Sequence, residues 1–437
     1  MDVSLLTALL FLMVFTFLAT GIPVAFALAG AATIFSLIFW GPGSYTMIVI
    51  RSFGSMTGFA LIAIGLFVLM ANMLSKSGII DKLFATMRLW FGGVSGGLAV
   101  GTIVICAIFA AMCGISGAAA VAMGLMALPT MLRYNYNKHL ALGAIAAGSA
   151  LGVLIPPSVT MVVFCIMGGL SVGRLFAAGI IPGIILASIY IIYILIVCGF
   201  KPSLGSPLPK HERVTLGVKL KSSVSLIPPF LLIFVVLGSI FSGMASPSES
   251  AAIGALGSIV CAAINKKLTW NAFKESVYST LKLTSMIMWI VLAASVFAAV
   301  YTGIGAPAFI TEVINSLKMN RWLILILMQI VFLLLGMFLE PIGIISLTIP
   351  ICLPIIVSLG FDPIWFGAVF IVNMEMSFLT PPFGFNLFYL RSVAPPEISM
   401  IDIYKGVVPF VFLQLLGLAI MIAIPELSLF LPNLIFG

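Results

Sequence analysis

Two adjacent-proline sequences carry the chemistry available to this chain: Leu154-Ile155-Pro156-Pro157-Ser158 and Leu379-Thr380-Pro381-Pro382-Phe383-Gly384, each set in a long apolar run. Proline has no N–H and disfavours helix in the residue before it, so a helix must open at a Pro-Pro pair. The opened backbone frees carbonyls that can ligate a cation such as Na⁺. It also presents amides at the start of the next half-helix, which attract an anionic group. About 40 residues before each break stands a cluster of glycine and short polar groups: Gly114, Ser116 and Gly117, then Glu340 to Gly343. Gly114, Ser116 and Gly117 with Pro156 and Ser158, and Glu340 and Gly343 with Thr380, Pro381 and Gly384, predict two symmetry-related cation sites. A substrate held between them would meet Ser116, Pro157, Ser158, Thr160, Pro382, Phe383 and Asn386.

Each of these groups also has a plainer reading. A Pro-Pro pair can simply kink or start a helix, which is the expectation for Pro228-Pro229. Gly114 and Gly117 can serve close helix packing. Glu340 can ligate a cation, cap a helix or pair with a neighbouring subunit, and Glu375 can be a structural acid or orient the second break. Acids in apolar surroundings are costly and usually functional. Glu249, just after Pro247, suits a helix N-terminus. His139 and His211 lie in basic loops and are expected to be solvated. The cysteines (Cys106, Cys113, Cys165, Cys198, Cys261, Cys352) fall in apolar segments without metal-like spacing and read as small buried residues. No phosphate loop, no nucleophile with a base and no histidine cluster is visible, so neither an enzyme nor nucleotide-driven transport by this chain is expected.

The elements that must position these groups follow from composition. With 62% hydrophobic and 7% charged residues over 437 positions, the chain reads as an all-α polytopic membrane protein rather than a soluble globule. The net charge of +8 then speaks of topology, not of nucleic acid. The start, Met1-Asp2-Val3-Ser4, lacks a positive signal-peptide region, so the first apolar run is expected to stay as a span. Spans of about 20 residues are expected at Leu5 to Thr20, Pro23 to Trp40 and Met56 to Leu74, with an interfacial helix at Gly78 to Phe91. A re-entrant hairpin at 93–132, a broken helix at 140–167 and a span from Leu175 to Phe200 complete a first half, 1–200. After a basic linker at 201–222 the pattern recurs over 223–437. It offers Leu226 to Ser242, Ala251 to Ile264, Lys282 to Gly303, an interfacial stretch from Pro307 to Lys318, a hairpin at 322–359, a broken helix at 365–389 and a last span, Val407 to Leu431.

Spacing supports a duplication. Ser77-Gly78-Ile79 matches Thr302-Gly303-Ile304, Leu128-Pro129 matches Leu353-Pro354, and Pro156-Pro157 matches Pro381-Pro382, all displaced by 225 positions. Five crossings and one returning hairpin per half would put the two repeats in inverted orientation. With the linker inside, sixteen of the twenty basic residues fall on the cytoplasmic side, leaving Arg51, Arg174, Lys318 and Arg321 outside. Both termini are then expected to face the periplasm or the exterior.

Together the breaks and the stretch Gly243-Met244-Ala245-Ser246-Pro247-Ser248-Glu249-Ser250-Ala251-Ala252 resemble the large membrane subunit of the tripartite ATP-independent periplasmic (TRAP) transporters, over essentially the whole chain. One departure is Ser248-Glu249-Ser250-Ala251, where the family commonly has Thr-Glu-Ala-Ala after the proline. The resemblance implies an elevator-type fold with a scaffold and a moving transport domain. It implies no cofactor, Na⁺ as coupling ion, and import of organic acids such as C4-dicarboxylates or sialic acids. It implies as partners a small four-helix membrane subunit, expected here as a separate polypeptide, and a soluble periplasmic substrate-binding protein. By the same resemblance Ser116, Gly117 and Pro156 to Ser158 would hold one Na⁺, and Gly343 with Thr380 to Gly384 a second. A self-sufficient Na⁺/dicarboxylate symporter of the divalent-anion class is the alternative, and a non-transporting membrane scaffold a weaker one.

Overall fold

The computed structural model describes residues 2–114, 116–316 and 319–437. Ile115, in the first expected tip, and Lys318, at the end of the expected interfacial stretch, lie outside the described residues, as do Met1 and Leu317. Among the described residues the regular structure is helical throughout. The first half runs α1 (Val3–Ala19), α2 (Val24–Trp40), α3 (Ser44–Met56), α4 (Ala60–Lys76), α5 (Ile79–Phe91), α6 (Gly97–Cys113), α7 (Ser116–Arg133), α8 (Lys138–Ala150), α9 (Val159–Gly168) and α10 (Val172–Phe200). The second runs α11 (Leu216–Ser223), α12 (Ile227–Phe241), α13 (Pro247–Ile264), α14 (Trp270–Gly303), α15 (Ala306–Ser316), α16 (Arg321–Gly336) and α17 (Pro341–Ser358). It closes with α18 (Pro363–Ser377), α19 (Phe385–Val393), α20 (Met400–Ala423) and α21 (Glu426–Phe436).

Among the described residues seven helical segments are long and apolar enough to cross a membrane, eight if the bent α3–α4 pair is one span. Their outward faces carry large apolar side chains, with Phe234 75% and Phe412 67% exposed, as a lipid-facing surface requires. The chain is a polytopic helical membrane protein.

Local chemistry explains the helix ends. Ser246 and Glu249 form a reciprocal capping box at the start of α13, with Pro247 at the first helical position. Glu249 is therefore a capping acid. Pro228 and Pro229 sit in the first turn of α12, where the missing N–H costs nothing.

Three boundaries differ from the sequence reading. The run before Met56 forms a separate helix, α3, meeting α4 at 49°, because Thr57-Gly58-Phe59 interrupts the helix. α14 begins at Trp270 rather than Lys282, capped by the Thr269 side chain. The last span is α20, starting at Met400 under a Ser399–Asp402 capping box; it ends before Pro425, and the remaining residues form α21 against α10. His139 also departs from the expected solvation. Its Nε2 lies 3.3 Å from Asp402 Oδ1, and Lys138 pairs with the same oxygen at 2.7 Å, tying the starts of α8 and α20 together.

The crossing of α8 on α20 is close, and it rests on glycine. Every residue of α8 from Leu140 to Ala150 is buried, and its Ala- and Gly-rich sequence lets backbones approach closely. A Cβ at Gly143 would stand 2.2 Å from the Gly406 carbonyl oxygen, and one at Gly406 would stand 2.5 Å from that of His139. Backbone oxygens cannot swing aside. Gly143→Ala and Gly406→Ala should each lower the detergent-solubilised melting temperature by several degrees, for a cost of about 1–3 kcal/mol. Gly199→Ala, where nothing lies within 4 Å, should leave it unchanged or raise it.

Candidate functional site

Glycine shapes the first tip. Gly114 ends α6 with φ 62°, the left-handed conformation that turns the chain back. A Cβ there would meet the Pro157 carbonyl oxygen at 2.3 Å, so the tip rests directly on the first break. Ser158 restarts the helix: its Oγ accepts from the Met161 N–H and donates to the Val153 carbonyl at 2.6 Å. The carbonyls of Leu154, Pro156 and Pro157 accept no hydrogen bond from the described residues.

The second break is built alike but lies more open. Thr380 Oγ1 donates back to the Met376 carbonyl at 2.8 Å, and the Tyr404 hydroxyl donates to the Pro382 carbonyl at 2.7 Å. The carbonyls of Thr380, Pro381 and Phe383 stay free of protein donors among the described residues. Pro156, Pro157 and Ser158 are buried, whereas Pro382 and Phe383 are exposed. Both Pro-Pro peptide bonds are cis.

The two halves cross at the breaks. The helix before each break already touches both halves: α8 packs on α6 and α7 and most extensively on α20, and α18 packs on α16 and also on α10. After it, α9 packs on α17 and α19 on α7, so each restarted helix meets the other half's paired helices. This crossing brings Gly114, Ser116, Thr160 and Glu340 around one cavity of about 60 Å³, closed on the α14 side by Leu283 and Ile287. Ser116 opens α7, Thr160 lies in the first turn of α9, and Glu340 is the N-cap residue of α17 without a side-chain cap bond. Three helix N-termini thus point their partial positive charge at a space holding one carboxylate.

Other expected site residues lie elsewhere. Gly117 packs on the Tyr389 ring, where a Cβ would come within 2.8 Å, and Gly343 faces Val24 of α2. Gly384 holds the second break closed on itself, its hypothetical Cβ 2.4 Å from the Phe378 carbonyl oxygen, and Phe383 stacks on Phe388. Asn386 is buried in α19; its Nδ2 reaches the Ala146 carbonyl and Ser149 Oγ at 3.4 Å each, while its Oδ1 finds no partner. Among the described residues no cluster of His, Cys, Asp and Glu could hold a metal ion, so a cation bound here would be held by carbonyls and hydroxyls.

Two buried polar ties were not read from the sequence. Asn373 Nδ2 of α18 donates to the Gln329 carbonyl and Oε1 of α16, each at 2.8 Å. Glu375, fully buried, accepts from the Tyr190 hydroxyl at 3.3 Å and from Gln414 Nε2 at 3.4 Å, joining α10, α18 and α20. The available signal was the polar side chain inside an apolar run, for Gln329, Asn373 and Gln414 alike.

A polytopic helical bundle with two Pro-Pro breaks and a small cavity between helix N-termini is the architecture of a membrane transporter. The sequence profile described as "Tripartite ATP-independent periplasmic transporter, DctM component" matches residues 11–427, and the chain belongs to this family of transporter components. It is 32% identical to the C4-dicarboxylate TRAP transporter large permease protein DctM of Vibrio cholerae, covering 98% of both chains. It is 34% identical to the protein of the same description from Pseudomonas aeruginosa, covering 93% of each. Its fold resembles the YdaH transporter of Alcanivorax borkumensis, with a TM-score of 0.64 at 13% identity and 89% of both chains covered.

The Glu375 tie separates two substitutions by hydrogen bonding. Glu375→Gln keeps an acceptor for Tyr190 and Gln414, whereas Glu375→Leu strands both donors in the interior. Leu should cost about 1–3 kcal/mol more than Gln, read as the difference between their melting temperatures in detergent.

Proposed function

We propose that this chain is the membrane transport subunit of a Na⁺-coupled, binding-protein-dependent importer of an organic acid. The observation that carries this reading is the meeting of the first tip, the residues flanking the first break (Val153 and Val159) and Glu340 around one cavity between three helix N-termini. An anionic substrate is attracted by those N-termini, and unpaired break carbonyls give Na⁺ its ligands. The substrate class is C4-dicarboxylate or sialic acid; the relatives at 32% and 34% identity bear the first name. The two halves are inverted repeats, a reading supported by the 225-position spacing and by the same order of paired helices and broken helix in each. The breaks and tips form the part that moves against a scaffold in an elevator-type cycle. Both termini lie on the periplasmic side. The tripartite family points to a separate small four-helix subunit and a periplasmic substrate-binding protein as partners.

Proteoliposomes holding this chain with its small subunit provide the test, using labelled succinate and sialic acid. Uptake should require both the binding protein and an inward Na⁺ gradient; uptake with Na⁺ alone would move the chain to the self-sufficient symporters. Within that assay Ser116→Ala and Thr380→Ala should each weaken Na⁺ activation roughly tenfold, about 1.4 kcal/mol, with melting temperatures near the parent's. Parent-like Na⁺ response in both would remove these hydroxyls from the cation sites.

A further inference from the structure

The central cavity, at about 60 Å³, is too small to be where an organic acid first meets the chain. A larger cleft of about 890 Å³ opens between α3, the α3–α4 elbow, the C-terminal end of α9 and α14. It shares two walls with the central cavity. On α14, Leu283 and Ile287 line the central cavity, while Val291, Ser295, Ala298 and Thr302 line the cleft. These spacings of three and four residues form one stripe along the helix. On α9, Thr160 lines the cavity, and Ile166 and Met167 line the cleft. From Ile287 to Ser295 the helix rises about 12 Å, and from Thr160 to Met167 about 10 Å, so the two spaces lie in series along the same walls. The sequence reading puts Arg51, the end of α9 and the end of α14 on the outer side, so the cleft is the outer of the two.

Its chemistry favours anions. Arg51 lines the cleft, no Asp or Glu does, and the guanidinium has no ion pair among the described residues. One turn further along α3, Ser55 Oγ lies 2.6 Å from Ser295 Oγ of α14, and the two also contact the Arg51 and Leu292 carbonyls at 2.7 and 2.8 Å. Two hydroxyl protons serve three contacts, so the pair can turn one proton to a carboxylate oxygen while keeping a backbone bond. Thr302 adds a third hydroxyl at the exposed end. Arginine suits a carboxylate because its planar fork donates two parallel hydrogen bonds.

We propose that Arg51, with Ser55, Ser295 and Thr302, forms an outer capture site for an organic carboxylate on the route to the central cavity. This rests on the transport reading above and adds to it a first binding position outside the tips and breaks. Arg51 draws the anion from the binding protein's side, and the α9–α14 walls lead it inward. The site also supplies the guanidinium that the central cavity lacks.

The test separates this site from transport. In right-side-out vesicles holding the complex with its small subunit, Ser295→Cys is labelled with an anionic (sulfonatoethyl) or a cationic (trimethylammonioethyl) methanethiosulfonate. The six native cysteines are all buried, which keeps the background low. A single charge a few ångströms away in a half-aqueous cleft changes local ion concentration roughly tenfold. The anionic-to-cationic rate ratio should therefore fall roughly tenfold or more when Arg51→Gln is added. Succinate or sialic acid should slow labelling with Arg51 present and not without it. A ratio unchanged by Arg51→Gln, or no labelling from outside, overturns the proposal. In uptake assays Arg51→Gln should raise the substrate KM roughly tenfold with the maximal rate and Na⁺ response kept, and Arg51→Lys should fall between. An unchanged KM also overturns it. Absence of uptake by the parent would defeat the transport reading, while the labelling ratio would still decide the capture site.

Discussion

The structure depends on one constraint: a backbone carbonyl or amide in hydrocarbon must find a partner. A continuous helix meets it within itself. The two Pro-Pro breaks cannot, and the packing around them provides the cover. Gly114 seats one tip on the Pro157 carbonyl, Ser158 ties the first break to Val153, and Tyr404 reaches the Pro382 carbonyl. Carbonyls that remain free at the breaks are then open to a ligand in place of a protein donor. Buried amides at Gln329, Asn373 and Gln414 brace the helices that lead to the second break, where a polar tie is worth a modest amount but fixes register.

Covering the breaks forces the halves to interlock. The halves also meet where α4 packs on α13, α2 on α14 and α8 on α20. At the breaks themselves α9 lies on α17 and α19 on α7. Gly117 against Tyr389 and Gly124 against Val393 are the close contacts that let α7 and α19 meet. The consequence for function is that the cavity belongs to neither half. Glu340 from the second faces Gly114, Ser116 and Thr160 from the first.

Much of this was legible because it depends on backbone chemistry that a residue type states outright. Proline cannot donate, so both breaks could be placed to the residue; glycine at Gly114 marked the tip. The capping acid Glu249 was readable from Ser246-Pro247 before it. What could not be read depends on which faces meet in space. The crossing of α9 and α19 between halves leaves no trace in spacing, because an apolar stripe packs equally well on either partner. The pairing of Glu375 with Tyr190 spans 185 positions, and that of His139 with Asp402 spans 263. Arg51 could be placed only on the outer side, because the packing of α3 beside α14 depends on the elbow at Thr57-Gly58-Phe59.

The charge balance of the central cavity gives a physical reason for the proposed cation coupling. Among the described residues Glu340 is the one acid lining it, and no Lys or Arg does. Helix N-termini offset part of one negative charge, each contributing on the order of 0.3–1 kcal/mol where solvent screens them and more where it does not. A carboxylate entering from water would add a second or third negative charge to an enclosed space of low dielectric, where like charges repel strongly. Na⁺ held by the break carbonyls, as proposed above, would lower that repulsion, and each ion would make the other's arrival easier. By reciprocity the anion would then raise the cation's affinity by the same factor. Under that proposal the site fills poorly with substrate alone, the property a concentrating importer needs if it is to avoid returning its cargo.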